Sequence, residues 1–140
     1  NKEPLSSQKC ESCEGLPPLF PEETVEFLKN AEVEGWVLAS DGTALINKTF
    51  KFQSMRMADW HKEWGKSAHF VKKLLDLMEE EDHHASYTHV PAKNGGSVNV
   101  ILFTHGVHGL SVNDFRMAAK LNKMYAAAVA EASASQGGEL

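Results

Sequence analysis

Trp60, Trp64, Ser67, Val71, Leu74 and Met78 recur every three or four residues, the spacing of one buried helical face, and predict a long helix over 57–81. A shorter helix is expected over 21–31. Pro21 suits its first turn, Glu22 and Glu23 suit its positive end, and Val25 and Leu28 form its apolar stripe. Residues 36–39 read as a strand, Asp41-Gly42 as a hairpin turn, and 44–52 as the partner strand. A third strand is expected over 87–90, closed by Pro91, and a fourth over 97–105. In the fourth, Val98, Val100 and Leu102 alternate with Asn99, Ile101, Phe103 and His105. Ser111-Val-Asn-Asp114 has the form of a capping box, with Asp in the place of Glu. Phe115, Ala118, Ala119, Asn122 and Tyr125 carry the third helix forward.

The order helix, hairpin, long helix, hairpin, helix predicts an α+β fold. Two hairpins form a four-stranded antiparallel sheet, and three helices cover one of its faces. The polar stretch 1–19, with Pro17 and Pro18 near its end, reads as a flexible arm. Residues 20–125 read as one domain, and the Ala/Ser/Gly-rich 126–140 as a frayed helix end and tail. A sheet with an open face and open edges favours oligomers, so a homodimer or homotetramer is expected.

Composition narrows the function classes. The chain has 140 residues, 42% of them hydrophobic, which is enough for a core in a single domain. Nineteen acidic against 14 basic residues give a net charge of −5, which disfavours nucleic acid as a direct ligand. No apolar run approaches the roughly 18 residues of a membrane span. Cys10 and Cys13 have zinc-knuckle spacing, but a structural zinc needs four ligands and no second pair exists. Two cysteines cannot supply a disulfide framework, which points to a reducing, cytoplasmic setting.

Histidine is the anomaly. Five of the seven, His83, His84, His89, His105 and His108, fall within 26 residues. Imidazole gains and loses charge near neutral pH, so the cluster suggests proton chemistry or metal binding. His83 and His84 follow Glu79-Glu-Glu-Asp82 at the end of the long helix, where helix carbonyls and carboxylates favour the imidazolium. Either could donate a proton, or simply cap the helix. His105 ends the strand that pairs with the one following His84, so the two ends can meet. Asp114 opens the third helix and could orient an imidazole, or serve only as the capping acid. His89 and His108 read as surface or loop histidines. His105-x-x-His108 has chelate-like spacing but lies on an expected loop, and no metal is expected.

At these positions the sequence resembles the pterin-4a-carbinolamine dehydratases. The pieces are Glu79-x3-His83-His84, the aromatic Tyr87, Thr104-His105, and Gly109-Leu-Ser-x-x-Asp114, which agree in order and distance. Gly35-Trp36, Phe50-x-Phe52 and the helix with Trp60 extend the likeness across about residues 20–125. The resemblance implies dehydration of 4a-hydroxytetrahydrobiopterin to quinonoid dihydrobiopterin in tetrahydrobiopterin recycling, with no cofactor. By the same resemblance His83, His84, His105 and Asp114 are the catalytic set. His83 would be the acid toward the 4a-hydroxyl, His84 the holder of the pterin or the departing water, His105 the acid/base for the opposite face, and Asp114 the orienting carboxylate. Glu79, Asp82, Tyr87, Phe103 and Thr104 would line the substrate pocket. Ala85 stands where the family usually has Pro, Tyr87 near where it often has Trp, and the 91–96 segment is longer than in animal members. Some family members are dimerisation cofactors of a transcription factor, which adds a non-catalytic coactivator, and a nuclear location, as the competing expectation. A pterin-binding protein of folate or molybdopterin metabolism is the third.

Overall fold

The computed structural model describes residues 3–12, 16–39, 46–52, 60–91, 96–104, 106 and 109–137, with the backbone alone for 60–66 and 131–137. The elements run α1 (Pro21–Leu28), β1 (Val37–Leu38), β2 (Ile46–Lys51), α2 (Trp60–Glu81), β3 (Ser86–Val90), β4 (Ser97–Leu102) and α3 (Val112–Gly137). The four strands form one antiparallel sheet in the order β1-β2-β4-β3. This is the α+β architecture that the sequence predicts. The Asp41-Gly42 turn lies outside the described residues.

Alternation decides which sheet face is covered. Ile46 and Phe50 on β2 and Val98, Val100 and Leu102 on β4 are buried, and they pair directly: Ile46 with Leu102, Lys48 with Val100, Phe50 with Val98. Residues between them, such as Thr49 and Asn99, face the open side, where their side chains hydrogen-bond at 2.9 Å. Above the covered face, Phe50, Phe52, Phe70 and Tyr125 pack with ring centroids 5.0–6.2 Å apart. Ser67, Phe70, Leu74 and Met78 carry the buried stripe of α2. Phe27 of α1 stacks on Phe115 of α3 at 4.8 Å. Lys48 lies on the core face, where its ammonium sits 4.9 Å from the Phe50 ring centroid. Its ammonium escapes to the Glu34 carbonyl (2.9 Å) and the Asn122 Oδ1 (2.8 Å).

Three boundaries depart from the pattern for local reasons. α1 ends at Leu28, short of residue 31, because the Asn30 side chain accepts the Glu32 N–H at 2.8 Å and starts a separate 3-10 turn, Ala31–Val33. β4 stops at Leu102 because Thr104 turns to pair with Gly109, giving its N–H to the Gly109 carbonyl at 2.7 Å. The backbone of α3 stays helical to Gly137, past the point where the Ala/Ser-rich composition predicts fraying; alanine has the highest helix propensity.

The amino-terminal stretch also departs from the flexible arm that its polarity suggests. Leu5 and Cys10 are buried with the core, and the Leu5 and Ser6 N–H groups donate to the Glu32 carboxylate at 2.9 and 3.1 Å. Two apolar anchors and paired backbone donors suffice to fix an otherwise polar segment.

Candidate active site

The end of α2 aims His83 inward. Asp82 adopts φ +53°, and its N–H donates to the Glu79 carbonyl at 3.3 Å. The His83 N–H reaches the Met78 carbonyl at 3.2 Å. These two bonds are the Schellman pattern, in which a left-handed residue reverses the chain and turns the next side chain back toward the helix. His83 is accordingly 3% exposed, whereas His84 is exposed. A non-glycine residue in this conformation carries strain. Asp82→Gly is therefore expected to add about 1 kcal/mol of stability, read as a higher urea midpoint at unchanged slope; an unchanged midpoint contradicts it.

The start of α3 supplies the partner. His83 Nε2 lies 2.8 Å from Asp114 Oδ1, and both side chains are buried. Asp114 Oδ2 accepts the Thr104 hydroxyl at 2.8 Å and the Ser111 N–H at 2.9 Å. The Ser111 N–H bond is one half of the capping box. Ser111 Oγ and Thr104 Oγ1 are 2.7 Å apart. Because an ionised carboxylate only accepts, the Thr104 proton points to Asp114, and Ser111 donates to Thr104. The same carboxylate requires Nε2 to be the protonated nitrogen of His83.

The fold thus joins His83, Thr104 and Asp114 in one buried network, three of the residues that the sequence singles out. The carboxylate of Glu79 is exposed on α2, and Asp82 is exposed at the turn. Tyr87 is 38% exposed on the edge strand β3, opposite Val100 on the helix side of the sheet. Phe103 is half-buried beside Thr104. His105 and His108 lie outside the described residues. His89 is not the free surface histidine expected: it is half-buried, and its Nε2 lies 2.8 Å from Ser67 Oγ on α2. Among the described residues, no three His, Cys, Asp or Glu side chains cluster as metal ligands would. The Ser111 hydroxyl is a member that capping logic alone does not identify; the signal was its place beside Thr104, which only the Thr104–Gly109 pairing creates.

Glu81, two residues before His83, is also buried. Burial alone would push its carboxyl up, but the Cys10 N–H (2.8 Å), Lys120 and Lys9 outweigh that and hold it below the usual carboxylate range. Burial, and next the Glu81 charge, push the Cys10 thiol from 9.0 up to about 12. The folded value lies above the unfolded one. The thiol's stabilising contribution is therefore whole below pH 9.0 and is lost as pH rises toward about 12. Cys10 is expected to resist iodoacetamide at pH 8 until urea unfolds the chain, read by peptide mass; rapid labelling of the folded protein contradicts this.

Comparison with known proteins identifies the family. A relative from Chlorobium luteolum, whose assigned name of pterin-4-alpha-carbinolamine dehydratase is itself provisional, is 38% identical over 123 residues, covering 86% of this chain and 95% of that one. A similarly named protein from Saccharophagus degradans is 32% identical over 122 residues, covering 86% and 96%. The crystal structure of a transcriptional coactivator/pterin dehydratase from Brucella melitensis superposes with a TM-score of 0.61 at 27% identity, covering 77% of this chain and 98% of that one. The family model for pterin 4 alpha carbinolamine dehydratase matches residues 17–124, a span that includes both ends of the His83–Asp114 bond, and the chain belongs to that family.

Proposed function

We propose that the protein dehydrates 4a-hydroxytetrahydrobiopterin to quinonoid dihydrobiopterin by histidine general acid/base catalysis. In this elimination the C4a–O bond breaks as the hydroxyl takes up a proton and leaves as water. N5 loses a proton, and the N5=C4a double bond forms. The observation that carries the reading is the buried 2.8 Å contact between His83 Nε2 and Asp114 Oδ1. A carboxylate that fixes one imidazole nitrogen orients the ring for proton transfer, and it stabilises the imidazolium between steps.

His83, through Nδ1, is the acid toward the 4a-hydroxyl. Exposed His84 holds the pterin or the departing water, and His105 serves the opposite face, a role that rests on the family motif alone. Tyr87 offers a stacking wall, while Glu79, Asp82, Phe103 and Thr104 line the pocket. No helix among the described residues is long and apolar enough to cross a membrane. A cytoplasmic pterin substrate, and assembly as a homodimer or homotetramer through open sheet edges, complete the reading.

The test is to generate the carbinolamine with an aromatic amino acid hydroxylase, add this protein, and follow quinonoid formation by absorbance. Acceleration of about 100-fold or more over the spontaneous rate is expected. No acceleration would favour the second reading, suggested by the Brucella melitensis transcriptional coactivator/pterin dehydratase: a coactivator of the same fold without chemistry.

A further inference from the structure

The hydrogen bond between His83 and Asp114 joins the last turn of α2 to the first turn of α3. Consecutive residues of the amino-terminal segment grip both. The Cys10 N–H donates to Glu81 Oε1 at 2.8 Å, two residues before His83, and its Sγ lies 3.9 Å from the Asn113 carbonyl. Glu11 makes a two-point contact with the Asn113 side chain. Its N–H donates to Oδ1 at 3.0 Å, and its carbonyl accepts Nδ2–H at 2.7 Å. Asn113 is fully buried and immediately precedes Asp114. Flanking ties run the same way: Lys9 Nζ donates to the Glu80 carbonyl at 3.0 Å, Arg116 Nε to Gln8 Oε1 at 2.9 Å, and Arg116 pairs with the Glu11 carboxylate at 3.1 Å. Lys120 closes the set, donating to the Ser6 carbonyl at 3.0 Å and facing Glu81 at 3.7 Å.

We propose that residues 8–11 form a positioning strap, which holds Glu81 and Asn113 together and so sets the spacing at which His83 meets Asp114. Glu81 and Asn113, which the strap holds, are positioning residues. The inference rests on the acid/base reading of His83–Asp114 and adds what keeps it in register. The margin is small, since a drift of about 0.5 Å carries a 2.8 Å bond beyond good hydrogen-bond length and a productive geometry. Backbone bonds from two adjacent residues, one to each element, are suited to holding such a margin, because neither can shift without the other.

The test compares the wild-type chain with Asn113→Ala and with the double variant Gln8→Ala/Glu11→Ala, which cuts the side-chain ties at partly exposed positions. Three readouts are taken: kcat against KM, the pH profile of kcat, and the imidazole nitrogen resonances of His83 in protein labelled with 15N-histidine. In Asn113→Ala, kcat is expected to fall about tenfold with KM within about twofold. The kcat profile shifts in pH, and the His83 nitrogens move toward those of an imidazole without a carboxylate partner. If that variant does not fold, the double variant carries the same expectation, at about threefold in kcat. Variants that melt earlier but keep wild-type His83 resonances and kcat overturn the proposal, because the strap then only adds stability. Should the wild-type chain show no dehydration, the acid/base reading fails on its own. The strap is then decided by the resonances alone: unchanged nitrogens overturn it, displaced nitrogens support it.

Discussion

His83→Ala is expected to lower carbinolamine dehydration about 100-fold at pH 7 while the chain remains folded. A positioned acid or base contributes on the order of 10²–10⁴-fold, and His83 is, among the described residues, the histidine that the fold brings against a buried carboxylate. A smaller loss within that range is expected because other imidazoles in the cluster can share the task. The structural cost is modest for a buried site. Asp114 loses one partner but keeps the Thr104 hydroxyl and the Ser111 N–H on its other oxygen, so the melting penalty is on the order of 1–3 kcal/mol. Steady-state kcat, corrected for the spontaneous reaction, and a thermal melt check both halves. A kcat within twofold of wild type removes His83 from the chemistry.

Asp114→Asn is expected to have a comparable effect by a different route. Asparagine is nearly isosteric, so Thr104 and Ser111 can still donate to its oxygen. Its other terminus is then an NH₂ group directed at His83 Nε2, which must become an acceptor. The imidazole is forced into the opposite tautomer, with the proton on Nδ1, and it loses the charge that stabilises its cationic form. When a carboxylate partnering a catalytic imidazole is neutralised this way, losses reach about 10⁴-fold; about 100-fold is expected here, where the carboxylate also has a capping role. The imidazole nitrogens carry the diagnostic: in the variant the proton of His83 should move from Nε2 to Nδ1. A variant with wild-type kcat and an unchanged His83 tautomer would reduce Asp114 to a helix cap.

The order of elements was legible in the sequence because period-two and period-3.6 patterns are strong where one face is buried: Val98, Val100 and Leu102 against the helices, Leu74 and Met78 against the sheet. His83 and Asp114 were legible as candidates through residue type and spacing. Their contact was not, since 31 positions separate them and the bond depends on the left-handed Asp82, which no hydrophobic pattern announces. The role of 3–12 was illegible for a related reason. A segment held by backbone N–H and carbonyl groups leaves no mark in side-chain hydropathy, and Leu5 and Cys10 are too few to make a period. His89 was misplaced because its partner, Ser67, lies on a different element. The Ser111 hydroxyl joined the network only because Thr104 pairs with Gly109.

The most direct measurement is the nitrogen spectrum of His83 in 15N-histidine-labelled protein, recorded alone and with a reduced pterin. A buried carboxylate at 2.8 Å from Nε2 predicts that this nitrogen is protonated in the free protein and that Nδ1 is the one displaced when the pterin is added. A proton on Nδ1 in the free protein, or two nitrogens indifferent to the pterin, would contradict proton transfer through His83.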